Sequence, residues 1–80
     1  MPRLPRRFHI HLMLKGGHEQ VVEFRSLEDF QKWYGGVLTT AAPEAFVNVP
    51  LDDLELEYLV LRASSVIAIR VEPIFANLQD

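Results

Sequence analysis

The chain has 80 residues, of which 49% are hydrophobic and 24% charged, with a formal net charge of −3. That is one small globular domain: too short for two, too apolar for a disordered tail, and able to bury only about 60–65% of its unfolded surface. It contains no cysteine, which excludes a disulfide framework, a thiolate zinc site and a thiol nucleophile.

The charge divides along the chain. Arg3, Arg6 and Arg7 make the first seven residues basic, whereas from Phe8 onward five basic residues stand against eleven acidic ones. Met1–Arg7 carries two prolines and no periodic pattern, so residues 1–7 read as a flexible basic arm, 8–75 as the domain and 76–80 as a tail. No apolar run approaches the roughly 20 residues that cross a bilayer. The stretch after the arm alternates with His and lacks the apolar stretch of a signal peptide, so a cytoplasmic setting is expected.

Phe8, Ile10, Leu12 and Leu14 alternate with His9, His11, Met13 and Lys15, the period of a strand. After Gly16-Gly17-His18, the alternation of Gln20, Val22 and Phe24 with Val21, Glu23 and Arg25 predicts a second strand and a hairpin. A three-residue loop, Gly16 to His18, sets Ile10 by Phe24 and Leu12 by Val22, and gathers His9, His11 and Glu23 on the other face. Ser26 reads as a helix N-cap with Asp29 three residues on. Leu27, Phe30 and Tyr34 follow at helical spacing, with Trp33 at the edge of that stripe, and Gly35-Gly36 is expected to stop the helix. Thr39 to Ala45 reads as a loop and Phe46 to Val49 as a short strand ended by Pro50.

The last part is the most β-rich. Leu54, Leu56, Tyr58 and Val60 alternate with Glu55, Glu57, Leu59 and Leu61; both phases turn apolar after Tyr58, from a bulge there or from burial on both faces. Ala63-Ser64-Ser65 reads as the turn of a last hairpin, and Ile67, Ile69 and Val71 as the final strand, ended by Pro73. The order is β-β-α-β-β-β, an α+β fold: a curled antiparallel sheet or small, partly open β-barrel with one helix.

Three groups of side chains carry possible chemistry. His9 and His11, two apart on one strand, with Glu23 across, are the beginning of a zinc or nickel site, although a bare H-x-H on a strand also describes an ordinary polar face. Asp52, Asp53, Glu55 and Glu57 could hold a hard cation, but no glycine loop folds them around one, and a solvated acidic face or one meeting a basic partner fits better. Arg3, Arg6 and Arg7 could touch phosphates, against the repulsion of an acidic body. The two Gly-Gly pairs do not lie between a strand and a helix start and are not phosphate loops. Ser64-Ser65 lacks a nucleophile elbow. The expectation is a non-enzyme with no cofactor.

At Phe30-Gln31-Lys32-Trp33-Tyr34 and Ala68-Ile69-Arg70-Val71-Glu72-Pro73, with Asn48-Val49-Pro50 and Glu57-Tyr58 between, the chain resembles short uncharacterised proteins of cyanobacterial type. The resemblance covers most of Phe8–Phe75 and implies no activity, cofactor or site.

The sequence therefore points to a protein–protein interaction module of the adaptor or regulatory kind, with a nucleic-acid-associated β-barrel using Arg3, Arg6 and Arg7 as the alternative. One helix cannot cover both faces of so apolar a sheet, so a second copy or a constant protein partner is expected on the last hairpin, near Leu59, Val60, Leu61 and Ile69. Trp33, at the edge of the helical stripe, reads as core in the first place and as a rim anchor of that contact in the second. Deleting Met1–Pro5 should leave the melting temperature nearly unchanged; a drop of more than a few degrees would mean that the arm is docked.

Overall fold

The computed structural model describes residues 4–51 and 59–75. The element order is β1 (Arg7–Leu14), β2 (His18–Phe24), α1 (Leu27–Trp33), β3 (Phe46–Val49), β4 (Leu59–Arg62) and β5 (Val66–Ile74). This is the expected α+β order, all strand pairs being antiparallel. The strands form two open sheets, ordered β2-β1-β5 and β3-β4. The expected acidic row Asp52–Glu57 and the change of phase at Tyr58 lie outside the described residues.

β1 is the central strand, and its period-2 pattern separates two chemistries. Ile10 and Leu12 are fully buried on one side, flanked by Val22 and Phe24 of β2. His9 and His11 point to the other side with Glu23. The hairpin register differs from the expected one by two residues. Ile10 stands opposite Val22, Phe8 opposite Phe24 and Leu12 opposite Gln20. The loop is Lys15-Gly16-Gly17, because both glycines take the left-handed backbone (φ 86° and 84°) and His18 stays in β2. A two-residue shift preserves the side-chain phase, so the two faces are those expected.

Ser26 caps α1, its Oγ accepting from the Asp29 N–H at 3.0 Å. Gly35-Gly36 does not stop the helix. The chain continues as a π-helical turn over Tyr34–Leu38, in which the Thr39 N–H bonds the Tyr34 carbonyl five residues back at 3.0 Å. In an unbroken α-helix Val37 would lie about 20° from Phe30 and Leu38 about 80° away. The wider turn brings Leu38 into the core and leaves Val37 exposed. Thr39 and Thr40 hydroxyls donate to the Gly35 and Gly36 carbonyls at 3.2 and 2.9 Å, satisfying groups at the end of the helix.

Phe30 and Trp33 pack on Phe24, the Phe24–Phe30 rings meeting edge to face at 5.7 Å between centroids. Trp33 is 5% exposed and its indole N–H donates to the Asn48 carbonyl at 2.8 Å. Of the two readings of Trp33, core or rim anchor, the structure has the core one: the side chain ties α1 to β3. Leu27 and Tyr34, expected inside, are exposed. Val47, Val49, Leu59 and Leu61 form the inner face of the small sheet and complete the core.

The last two strands do not form a hairpin. β4 pairs with β3, and a 3-10 turn (Ala63–Ser65) passes the chain to β5, which pairs with β1 along its length. β5 also runs through Pro73, which sits opposite Phe8. An edge strand tolerates proline where the missing N–H would face away from the sheet.

These geometries make the two Gly-Gly pairs respond oppositely to alanine. Neither Gly35 nor Gly36 has a left-handed φ, and a Cβ on either meets nothing within 4 Å. G35A and G36A should each stabilise the fold by about 0.5–1 kcal/mol, whereas G16A and G17A should each cost about 1 kcal/mol or more. Thermal denaturation of the four variants checks this; destabilisation by G35A and G36A would show that the π-turn needs glycine.

Candidate functional site

The polar face of the large sheet holds a continuous charge cluster. The His11 side chain is 12% exposed, with Nδ1 2.7 Å from Glu19 Oε2 on β2 and Nε2 2.8 Å from Glu72 Oε1 on β5. Arg70 Nη2 approaches the same Nε2 at 3.3 Å. His9 Nε2 lies 3.7 Å from Glu23 Oε1, which Arg7 Nε also faces at 3.5 Å. The imidazole of His11 therefore bridges all three strands of the sheet.

This arrangement sets the protonation state. Hydrogen bonds to Glu72 and then Glu19 raise the His11 pKa above its ordinary 6.5, against the opposing effects of desolvation and Arg70. The His11 hydrogen bond holds the Glu72 carboxyl below its ordinary 4.5. Only the imidazolium can donate from both nitrogens; a neutral ring turns a lone pair toward one carboxylate.

His9, His11 and Glu23, for which the start of a metal site is the weaker of the two readings, are engaged in ion pairs. Both His11 nitrogens are taken by Glu19 and Glu72, and Glu23 is engaged by His9 and Arg7. Among the described residues no group of three or more His, Asp or Glu side chains is arranged to hold an ion.

The basic arm is also placed differently from the expectation. The Arg6 N–H donates to the Ile74 carbonyl at 2.7 Å, and Arg7 is the first residue of β1. Arg3 lies outside the described residues. Of the three arginines, Arg7 faces Glu23 on a sheet side that also carries Glu19 and Glu72, a poor approach for a polyanion.

The residues expected to bind a partner are divided between the sheets. Leu61 is buried, Leu59 and Ile69 are half-buried against the core, and Val60 is exposed on the outer face of β4. Apolar surface is left open on β5, and also at Phe46 and Val60 on the outer face of the small sheet. Ile67 is 63% exposed, with Val71 and Tyr34 also exposed. Beside it runs a groove of about 490 Å³, between the end of the helix and β5, lined by Tyr34, Leu38, Ala63, Val66, Ile67 and Ile69 among others. Ile67 and Tyr34 carried no sequence signal for exposure: both belong to apolar patterns that predict burial.

A second hollow, of about 300 Å³, mixes Glu23, Arg25, Asp29 and Lys32 with Phe24, Pro50 and Leu51. Among the described residues no helix is long and apolar enough to cross a membrane. No family model, curated protein or solved structure matches the chain.

The His11 bridge generates a pH dependence with a definite sign. A raised His pKa contributes stability that is complete below 6.5 and lost as pH rises through the folded value; the lowered Glu72 pKa contributes stability present above 4.5 and lost as pH falls through its folded value. Stability from this cluster is greatest between those two ordinary values. The melting temperature should fall as pH rises past neutrality, and H11Q should flatten that slope. Parallel slopes for the two proteins would show that the bridge is not formed in solution.

Proposed function

We propose that this chain is a non-catalytic protein-binding module, whose working surface is the edge of β5 left open among the described residues and the groove of mixed polar and apolar lining beside it. One observation carries this reading: the nine-residue strand β5 pairs only with β1, leaving its other edge open among the described residues, and exposes Ile67 and Val71 there. An unpaired strand edge is a template for another strand, and natural proteins usually block it with charge, proline or a covering element. Here Pro73 occupies one end, while the stretch Val66–Ile69 is uncharged and adjoins the groove.

The occupant that fits is an extended protein segment with alternating apolar residues. It would pair its backbone with β5 and place side chains against Tyr34 and Ile67, the strand-addition mode of peptide recognition. Among the described residues the groove is lined by no carboxylate, imidazole or amine, a lining that suits docking better than proton transfer or nucleophilic chemistry. The charged side chains of the polar face are largely committed to one another.

Short extended peptides of alternating apolar and polar residues, titrated into the isotope-labelled protein, test this. The expected result is chemical-shift change at the amides of Val66–Val71 and at Tyr34, lost in I67K at an unchanged melting temperature. If no peptide moves those amides, or if I67K responds as the wild type does, the surface is not a docking edge.

A further inference from the structure

We propose that the strand taken by this edge is β5 of a second copy of the chain, paired antiparallel about a two-fold axis at Val71. The proposal rests on the reading of β5 as a docking edge and adds the partner and the register.

The backbone direction comes first. The Ile74 carbonyl accepts from Arg6 and so faces β1. Backbone groups alternate along a strand, so Glu72 and Arg70 direct theirs to β1, while Pro73, Val71 and Ile69 present theirs to the open edge. Pro73 agrees with this phase: at its place opposite Phe8 no N–H is needed toward β1.

The register follows from charge. A two-fold axis at Arg70 would set Arg70 against Arg70, and one at Glu72 would set Glu72 against Glu72; like charges directly opposite destabilise a strand pair. An axis at Ile69 would put Arg70 opposite Ala68 and Glu72 opposite Val66, with no charge paired. An axis at Val71 puts Arg70 opposite the partner copy's Glu72, and the symmetry repeats that pair. On the other face Val71 meets its own copy and Ile69 meets the partner copy's Pro73, so apolar lies against apolar. The Val71 N–H donates to the partner copy's Val71 carbonyl, and the Ile69 N–H to the partner copy's Pro73 carbonyl.

Arg70 has a reason to take such a partner. Among the described residues it makes no ion pair; it feels the charge of Glu72 on its own strand, and its Nη2 lies 3.3 Å from Nε2 of His11, itself held by two carboxylates in the form that donates. Across the edge, the partner copy's Glu72 offers Arg70 a carboxylate that no described residue of its own chain holds at ion-pair distance.

Sedimentation velocity of the full chain across the micromolar range should show a particle of about twice 9.2 kDa. R70E and E72R should each weaken association by roughly tenfold or more, because each sets like charges opposite twice. A mixture of the two variants should restore it, every Glu then facing an Arg. Circular dichroism on each variant separates loss of pairing from loss of fold. The chain has no cysteine, so a single introduced one reports the register. V71C should form an intermolecular disulfide on mild oxidation, while A68C, which the axis places opposite Ile74, should not. A wild type that stays monomeric throughout, or an A68C that crosslinks as fast as V71C, overturns the proposal. If the monomer still binds extended peptides on β5, the docking reading stands and self-pairing alone fails; if it binds none, both fail.

Discussion

The phase of β1 is the constraint on which the rest of the fold depends. The strand has a neighbour on each side, so its backbone is satisfied by β2 and β5, and its two faces are chemically opposite. Ile10 and Leu12 must be covered, and both are completely. α1 and the small sheet exist on that side to cover them: Phe30, Trp33 and Leu38 from the helix and its π-turn, and Val47, Val49 and Leu61 from the two short strands. The indole of Trp33, donating to Asn48, locks these two covering elements together. The other face of β1 is satisfied by charge, with His11 as the link between the flanking strands.

The cover is uneven, and that unevenness is where the functional reading begins. The helix lies against β2, and its aromatic side chains stack on Phe24. The far strand, β5, receives less: Ile69 is packed against the core, but Ile67 and Val71 are not enclosed. On its opposite face β5 carries Arg70 and Glu72. One strand thus combines a backbone edge left open among the described residues, an apolar side and a self-complementary pair of charges. Burial of such a surface stabilises at about 25 cal/mol per Å², a meaningful gain for a domain of this size.

The two faces of β1 and β2 were legible in the sequence because alternation is a local property. The exact partners were not, since a shift of two residues leaves the same side chains on the same faces; only the left-handed backbone of both Gly16 and Gly17 decides between the registers. Gly35-Gly36 carried the usual signal of a helix end and instead sits in a π-turn, where the demand to bury Leu38 outweighs the tendency of glycine to terminate. The pairing of β5 with β1 joins residues some sixty apart, as His11 and Glu72 do, and nothing in the local pattern of either strand specifies it. For the same reason the His11 bridge was half visible: His11 and the acidic residues of β2 could be placed on one face, but Glu72 could not be brought there. Trp33 was ambiguous because the edge of an apolar stripe borders both core and solvent, and its hydrogen bond to β3 resolves it.

The central claim is that the outer edge of β5 is occupied in solution. Amide hydrogen exchange at Ile69 and Val71, followed as a function of protein concentration, tests it most directly. These N–H groups point away from β1, so in an isolated chain no strand among the described residues protects them. The account predicts slow exchange at Ile69 and Val71 that deepens as concentration rises, while the amides that β5 directs toward β1 stay equally protected at every concentration. Fast exchange at both residues, independent of concentration, would contradict it.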